Sequence, residues 1–330
     1  MKRYIVIRVA RIVPLVILVS ILTFALLHCV PGGPAGALPD GARMSEGDFA
    51  RIRANLGLDK PLPVQYLLWF KNVFLRFDFG RDYATGEPVA LMIWRRTPAT
   101  LELMGTAFVL AGVLGIALGV VSALRRGSLI DQCFSVISIA GLSIPVFWLA
   151  LVAMYVFSLK LGIVPSGGRE TIGAPSGFFD HARHLVLPAS VLSFGFLASW
   201  SRYTRAQLLD VIRGDFVRTA RAKGLSERTV IWKHALRNAA LPVFTVIVLQ
   251  IPTLFTGAVI TETVFSWPGM GRLFYDGLAR HDYPLVLGIV VIFSLLIILC
   301  NFIGDLLYAA VDPRISLNGG AARGAVAEDP

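Results

Sequence analysis

Apolar residues along this chain are gathered into long runs instead of recurring on one face of short segments. Six runs stand out, at residues 12–30, 97–124, 133–159, 185–201, 241–263 and 284–310, the fourth being the shortest. A bilayer span needs about 20 predominantly apolar residues, because a helix rises ~1.5 Å per residue through ~30 Å of hydrocarbon. Backbone amides in hydrocarbon must find partners within their own segment, so each run is predicted to be a helix. The polar alternation of a membrane barrel is missing. The expected fold is therefore all-α, a polytopic membrane helical bundle of about six transmembrane helices. Composition agrees with this: 55% of the 330 residues are apolar and only 16% are charged, where a soluble domain carries roughly a quarter.

Between the runs the chain is punctuated. Pro31-Gly-Gly-Pro34 ends the first run and opens a segment, 31–96, with its own pattern. Residues 45–56 are predicted to form a short helix capped by Ser45, stopped by the Gly57 to Pro63 stretch. Residues 64–77 form an amphipathic pattern with Tyr66, Leu67, Trp69, Phe70, Val73 and Phe74 on one side. That side either lies at the membrane interface or packs on the ends of the spans. Thr97-Pro98 is expected to start the second span. Gly115 and Gly119 form a GxxxG pattern that permits close helix approach. Pro145, Pro188 and Pro252 fall within runs and are expected to bend them. The five-span core is 97–310, and the Gly- and Ala-rich tail 311–330 is expected to be disordered.

The net charge of +10 is read as orientation and not as nucleic-acid binding. The amino-terminal tail carries Lys2, Arg3, Arg8 and Arg11, the turn after the second run Arg125 and Arg126, and the stretch from Arg202 to Arg237 nine basic residues. The short connections at 162–184 and 264–283 carry two arginines each. By the positive-inside rule both termini and the 202–240 loop are cytoplasmic, in the inner membrane of a bacterium. The amino terminus is read as a span, since no small-residue cleavage site follows it. Cys29, Cys133 and Cys300 sit in or beside apolar runs without paired spacing and are expected to be buried small hydrophobes.

The most informative stretch is the basic loop. Asp215 to Lys223 is predicted to be a short helix with Asp215 capping its amides and Arg221 and Lys223 at its carboxyl end. Gly224 supplies a left-handed stop. Ser226 restarts a helix with Glu227 in its first turn, and Val230, Ile231, Ala235 and Leu236 form its apolar side, with Pro242 opening the next span. On charge and periodicity alone this hinged hairpin suits either another protein or an anionic lipid surface.

The residues themselves separate these two readings. Arg218-Thr-Ala-Arg-Ala-Lys-Gly-Leu225 followed by His234-Ala-Leu-Arg-Asn-Ala-Ala-Leu-Pro242 resembles the cytoplasmic loop of ATP-binding-cassette importer permeases, in the variant of the peptide and nickel branch. Its general form begins Glu-Ala-Ala, three residues, Gly; here Arg218-Thr219-Ala220 stands first and Gly224 keeps its spacing. Thr23-Phe24 leading to Pro31-Gly-Gly-Pro34, Gly57-Leu-Asp-Lys-Pro61, Thr261-Glu-Thr-Val-Phe-Ser-Trp-Pro-Gly-Met-Gly271 and Asp312-Pro-Arg-Ile315 are similar to the same branch, in order along the chain. The long segment after the first span resembles the first permease of the pair. The resemblance implies a type I importer permease working with a second related permease, two ATPase subunits and an extracytoplasmic solute-binding protein, with peptide as solute. It implies that Ala220, Arg221, Lys223, Gly224 and Leu225 couple to the ATPase, Ala220 and Gly224 by allowing close approach and a turn.

Chemistry of the chain's own finds no support. No Gly-Lys pair occurs, so no phosphate loop exists and no cofactor is expected on this chain; ATP and Mg are expected on the partner ATPases. His181 and His184 lie close to Asp180, but a metal set lacks two further ligands. No Gly-x-Ser-x-Gly or His-Glu-x-x-His occurs. Gln250, Asn301 and Asp305 are the candidate pathway residues, with Glu102 and Glu262 nearer span ends; Glu262 and Asp305 have the alternative of bonding neighbouring helices. The competing readings are a permease for nickel or another small solute, an ATP-independent channel or carrier, and a membrane scaffold.

Overall fold

The structure, a computed structural model, describes residues 2–29, 59–173 and 177–311. Among them no strand forms, and a single isolated bridge pairs Arg81 with Pro88. The helices are α1 (Lys2–Cys29), α2 (Leu62–Phe70), α3 (Val89–Leu124), α4 (Leu129–Ser143), α5 (Val146–Lys160), α6 (Phe178–Ile212) and α7 (Asp215–Ala222). After them come α8 (Glu227–Leu249), α9 (Thr253–Val264), α10 (Met270–Ala279) and α11 (Tyr283–Val311). The helix expected at 45–56 and the tail from 312 lie outside the described residues.

Three helices, α3, α6 and α11, are long and apolar enough to cross a bilayer unbroken, and α4–α5 and α8–α9 pass only as bent pairs. The first run appears as the apolar stretch Ala10–Leu26 of α1. Each apolar run of the sequence thus finds a helix or a bent pair, but three boundaries differ from expectation. The second span begins at Val89, so Pro98 lies inside the helix; Thr97 Oγ1 donates to the Ile93 carbonyl 2.8 Å away in the turn before it. The shortest run belongs to a 35-residue helix, α6, because buried Trp200, Thr204 and Leu208 continue its packed face past the apolar stretch. Pro242 lies within α8 and does not open it.

Two of the three prolines break their runs. At Pro145 the chain turns by 111° between α4 and α5, and Ile144 is extended (φ −79°, ψ 125°), as the residue before a proline prefers. At Pro252 the bend is 50°. Pro188 is buried inside α6 without a break. Wide π turns follow α2 at Lys71–Leu75 and lie within α5 at Met154–Lys160 and α8 at Val230–Ala235.

The bundle is organised around α3 and α6. Ala99, Leu103, Ala107, Ala111, Gly115, Gly119 and Ala123 recur every fourth residue of α3 and are all buried. In lipid, helices gain no hydrophobic drive to associate, so close van der Waals contact between small residues does the work. A Cβ on Gly119 would sit 2.6 Å from both the Ser201 carbonyl oxygen and Thr204 Cβ, and one on Gly115 3.2 Å from the Leu197 carbonyl oxygen. The GxxxG pattern therefore marks the closest approach of these two helices. On this seam α9 adds Leu254, Phe255 and Ala258, while α11 brings Phe293, Leu296 and Ile297.

The ring-bearing segment at 64–77 packs on a span. Tyr66 Oη lies 2.7 Å from Ser20 Oγ, and the Tyr66 and Trp69 rings lie 5.5 and 5.8 Å from Phe24 of α1. Leu67, expected on the ring-bearing side, is instead exposed, as is Leu62. The cysteines differ from expectation: Cys29 and Cys133 are exposed and Cys300 is half-buried, so the first two face outward from their helices.

Gly119→Val should disrupt the seam, since the added side chain meets backbone that cannot yield, at a cost above the ~1–3 kcal/mol of ordinary overpacking. Gly105→Ala, which meets nothing within 4 Å, should leave the melting temperature of the detergent-solubilised chain unchanged; equal effects of the two would contradict the seam.

Candidate functional site

At one end of the bundle the basic loop forms a compact elbow. α7 is amphipathic: Val217 and Ala220 face inward, against Val120 and Ala123 of α3, Leu208 of α6, and Val230, Ala235 and Ala239 of α8. Gly214, not Asp215, occupies the N-cap position, and no side chain caps the helix. Asp215 sits one residue too late to fold back on the free amides. Gly224 then turns left-handed at φ +77°, and a Cβ there would meet nothing within 4 Å. Ser226 caps the next helix, accepting from the Thr229 amide at 3.4 Å. Arg221 Nε donates to Glu227 Oε1 at 2.6 Å, bracing the two arms across the glycine.

The five coupling residues divide into two sets. Arg221, Lys223 and Gly224 are exposed and Leu225 is 40% exposed, so all four present outward. Ala220 is 7% exposed and packs against the chain's own α3, α6 and α8, so its small size seats the elbow on the bundle and forms no outer surface. Phe216 and Trp232, which no motif in the sequence singles out, are exposed apolar groups on the same elbow.

The far end of the bundle is held by buried acids. Glu262 of α9 is 0% exposed. Its Oε1 accepts from Thr100 Oγ1 of α3 at 2.7 Å, and its Oε2 from the amides of Gly271 and Arg272 at 2.7 and 3.1 Å. A carboxylate at the first turn of α10 satisfies orphan amides and complements the helix dipole. Gly269 leaves it room, since a Cβ there would fall 2.2 Å from that carboxyl. Beside it, buried Trp267 donates from Nε1 to the Ala99 carbonyl at 2.8 Å. The Thr261 to Gly271 motif is thus a clasp between α3, α9 and α10, and Glu262 bonds to neighbouring helices.

A second acidic pair joins the segment before α3 to the start of α11. Asp282, 1% exposed, accepts from the Tyr83 amide at 2.6 Å and from the Leu285 amide at 3.1 Å. Asp82 Oδ2 accepts from the amide and hydroxyl of Thr85, each at 2.7 Å, and its Oδ1 lies 3.6 Å from Arg280 Nη2. The two carboxyls lie together in this joint and influence each other's protonation. Burial, the hydrogen bond to Asp82 and the charge of Asp82 push Asp282 up to about 6. Asp82 is held below the ordinary carboxylate value: burial opposes this, but hydrogen bonds with Asp282 and Thr85 and the Arg280 charge outweigh it.

The candidate pathway residues are only partly brought together. Gln250 sits at the α8–α9 bend and accepts from Trp200 Nε1 at 2.7 Å. Asn301 is exposed and Asp305 half-buried on α11. A Cβ on Gly304 would lie 2.9 Å from Val248 Cγ1, which brings the α11 turn bearing them alongside the end of α8. Glu102 binds Arg169 at 2.8 Å and His181 Nε2, so His181 serves a polar cluster with an acid and an arginine. His184 Nδ1 bonds the Asp180 carbonyl at 2.9 Å. Among the described residues no group of three or more His, Cys, Asp or Glu could hold a metal.

Residues 115–317 match the family described as binding-protein-dependent transport system inner membrane component, and residues 1–104 match its membrane-component N-terminal family. The oligopeptide transport system permease protein AppB of Bacillus subtilis (strain 168) is 42% identical over 316 residues, covering 96% of this chain and 99% of that one. The di/tripeptide transport system permease protein DppB of Pseudomonas aeruginosa (strain UCBPP-PA14) is 42% identical over 326 residues, covering 93% and 97%. The dipeptide transport system permease protein DppB of Escherichia coli (strain K12) is 39% identical over 336 residues, covering 96% and 99%. Among solved structures, an inward-facing conformation of the MetNI methionine ABC transporter superposes with a TM-score of 0.55 at 21% identity, over 68% of this chain and 99% of that one, a likeness of fold.

Because the Asp282 carboxyl binds its proton more tightly folded than unfolded, its contribution is full below the unfolded value of 3.8 and is lost as pH rises through about 6. Amide exchange around residues 82–85 and 282–285 in the purified chain should therefore quicken between pH 4 and 7, beyond the chemical rate. Asp282→Asn should flatten that dependence; an unchanged slope would show that the pair does not share a proton.

Proposed function

The chain belongs to the family of binding-protein-dependent transport system inner membrane components, and from that premise we propose that it forms half of a pathway for di- or oligopeptides, driven by ATPase subunits docked on its elbow. It is the permease of a peptide ABC importer, a multi-pass membrane protein. A second, related permease completes the pathway, and two ATPase subunits bind the ATP and Mg. An extracytoplasmic solute-binding protein delivers peptide to the far end. Both termini and the elbow face the cytoplasm, which the basic residues of the elbow and of the amino-terminal tail favour.

The observation that carries the docking role is the two-sided build of the elbow. Its inner side is buried in the α3–α6–α8 cluster, while its outer side presents Phe216, Arg221, Lys223, Gly224 and Leu225. A surface of mixed apolar and basic groups on a fixed base suits a protein groove; apolar anchors ringed by charge are the usual anatomy of such contacts. The inner side makes the elbow a continuation of α3 and α6, so a push on it reaches the bundle directly. The substrate is argued from kinship: the three named relatives are called permeases for oligopeptides, di/tripeptides and dipeptides.

The test is uptake of labelled dipeptide into vesicles holding the reconstituted complex, with nickel as the competing solute. Gly224→Trp meets no side chain of its own subunit, but places a bulky ring on the docking surface and strains a left-handed residue by roughly 1–2 kcal/mol. Insertion should persist, while ATPase association and uptake fall about tenfold or more, the effect of losing ~1.4 kcal/mol of binding. Normal uptake by this variant, or ATP-driven uptake of nickel without peptide, would overturn the reading.

A further inference from the structure

We propose that the ion pair of buried Asp131 with half-buried Arg205 ties α4 to α6 throughout the cycle, so that the bent pair α4–α5 travels with the elbow as one body. This rests on the transport reading above. Asp131 lies in the first turn of α4 and is 4% exposed. Its carboxylate accepts four hydrogen bonds. Arg205 Nε and Nη2 of α6 donate to Oδ1 and Oδ2 at 2.7 and 2.9 Å. Ser122 Oγ of α3 donates to Oδ1, and the Gly127 amide, in the turn between α3 and α4, donates to Oδ2 at 2.9 Å. Two parallel bonds to a guanidinium fix orientation as well as distance. Three helices are therefore pinned at one carboxylate.

Below this pair the α4–α6 joint is made mostly of small and polar groups, with the Phe194 ring of α6 lying over Gly141. Ser138 Oγ lies 3.1 Å from Ser201 Oγ, and a Cβ on Gly141 would lie 2.9 Å from Ala198 Cβ. The larger apolar side chains of α4, such as Val136, Ile139 and Leu142, point outward. Few large apolar side chains of α4 face α6 here, so the ion pair is the directional part of the joint. Separating it would leave the buried Asp131 carboxylate without its guanidinium partner, which favours a joint that stays closed.

The pair also stands in the line of force. Leu208, one turn along α6 from Arg205, is fully buried in the cluster that seats Val217 and Ala220 of the elbow. A displacement of α7 presses on Leu208, reaches Arg205 through the rigid helix, and passes to Asp131 and the start of α4. Asp131 and Arg205 are positioning residues for transport: they set how the two movements are linked.

The experiment uses the assembled complex with Cys29, Cys133 and Cys300 changed to Ser, and with Ser138→Cys and Ser201→Cys placed at the 3.1 Å contact. Uptake and ATP hydrolysis are read together in vesicles, reduced and oxidised. With Arg205 present, oxidation should leave uptake unchanged, because α4 and α6 never part; a block would overturn the proposal. Arg205→Ala, reduced, should still hydrolyse ATP while uptake per ATP falls about tenfold, and Arg205→Lys should fall between it and the parent, having one bond where Arg makes two. Oxidation of the Arg205→Ala form should restore uptake, and reductant should abolish the restoration; failure to restore would overturn it. Should Arg205→Ala not assemble, the oxidised parent decides alone. A parent that takes up no peptide would sink the functional reading instead. The tie is then judged in the isolated chain, where Arg205→Ala should lower the yield of the 138–201 cross-link several-fold; an equal yield would count against it.

Discussion

Two helices in hydrocarbon can touch along their length only where the side chains between them are small. The α3–α6 seam meets that condition with Ala and Gly at nearly every fourth position of α3, and almost everything else depends on it. The elbow sits on Val120, Ala123 and Leu208 at one end of the seam. The Glu262 clasp closes on Ala99 and Thr100 at the other, through Trp267 and α10. The bent pair α4–α5 is pinned to both helices at Asp131. At ~1.5 Å per residue, α3 and α6 are each about 50 Å long, well beyond the hydrocarbon core, so both ends of the seam project toward water. One rigid pair thereby serves two surfaces.

Polar groups inside this bundle are placed at joints. Glu262 binds α9 to α3 and α10, Gln250 receives the Trp200 indole where α8 meets α9, and Asp131 gathers α3, α4 and α6. Unpaired polar groups are expensive at depth, so a joint made from them has a definite closed geometry and resists slipping. The apolar surfaces between joints carry no such directional demand. The bundle is directional at a few points and smooth elsewhere.

Much of this is legible along the chain. Run length and composition are enough to place the spans, since hydrocarbon leaves the backbone no alternative to helix. The Gly224 turn, the Ser226 cap and the GxxxG contact are readable because each rests on local chemistry. What escapes the sequence depends on distant partners. Asp131 and Arg205 are 74 residues apart and read separately as loop-edge charges. Asp82 and Asp282 look like ordinary surface acids until the fold buries them together. Ala220 reads as an outward contact from its small size, a property that serves contact on either side. Span ends at Val89 and Ile212 are hidden because both helices continue into polar sequence once a neighbour covers one face.

The π turn at Val230–Ala235 joins the elbow to the span below it. A π turn holds one more residue than an α turn over the same height, a surplus that costs little to relocate because each amide finds another carbonyl nearby. The π turn therefore gives α8 a place beneath the elbow where its register can adjust, which α6, an unbroken α-helix from Phe178 to Ile212, does not have.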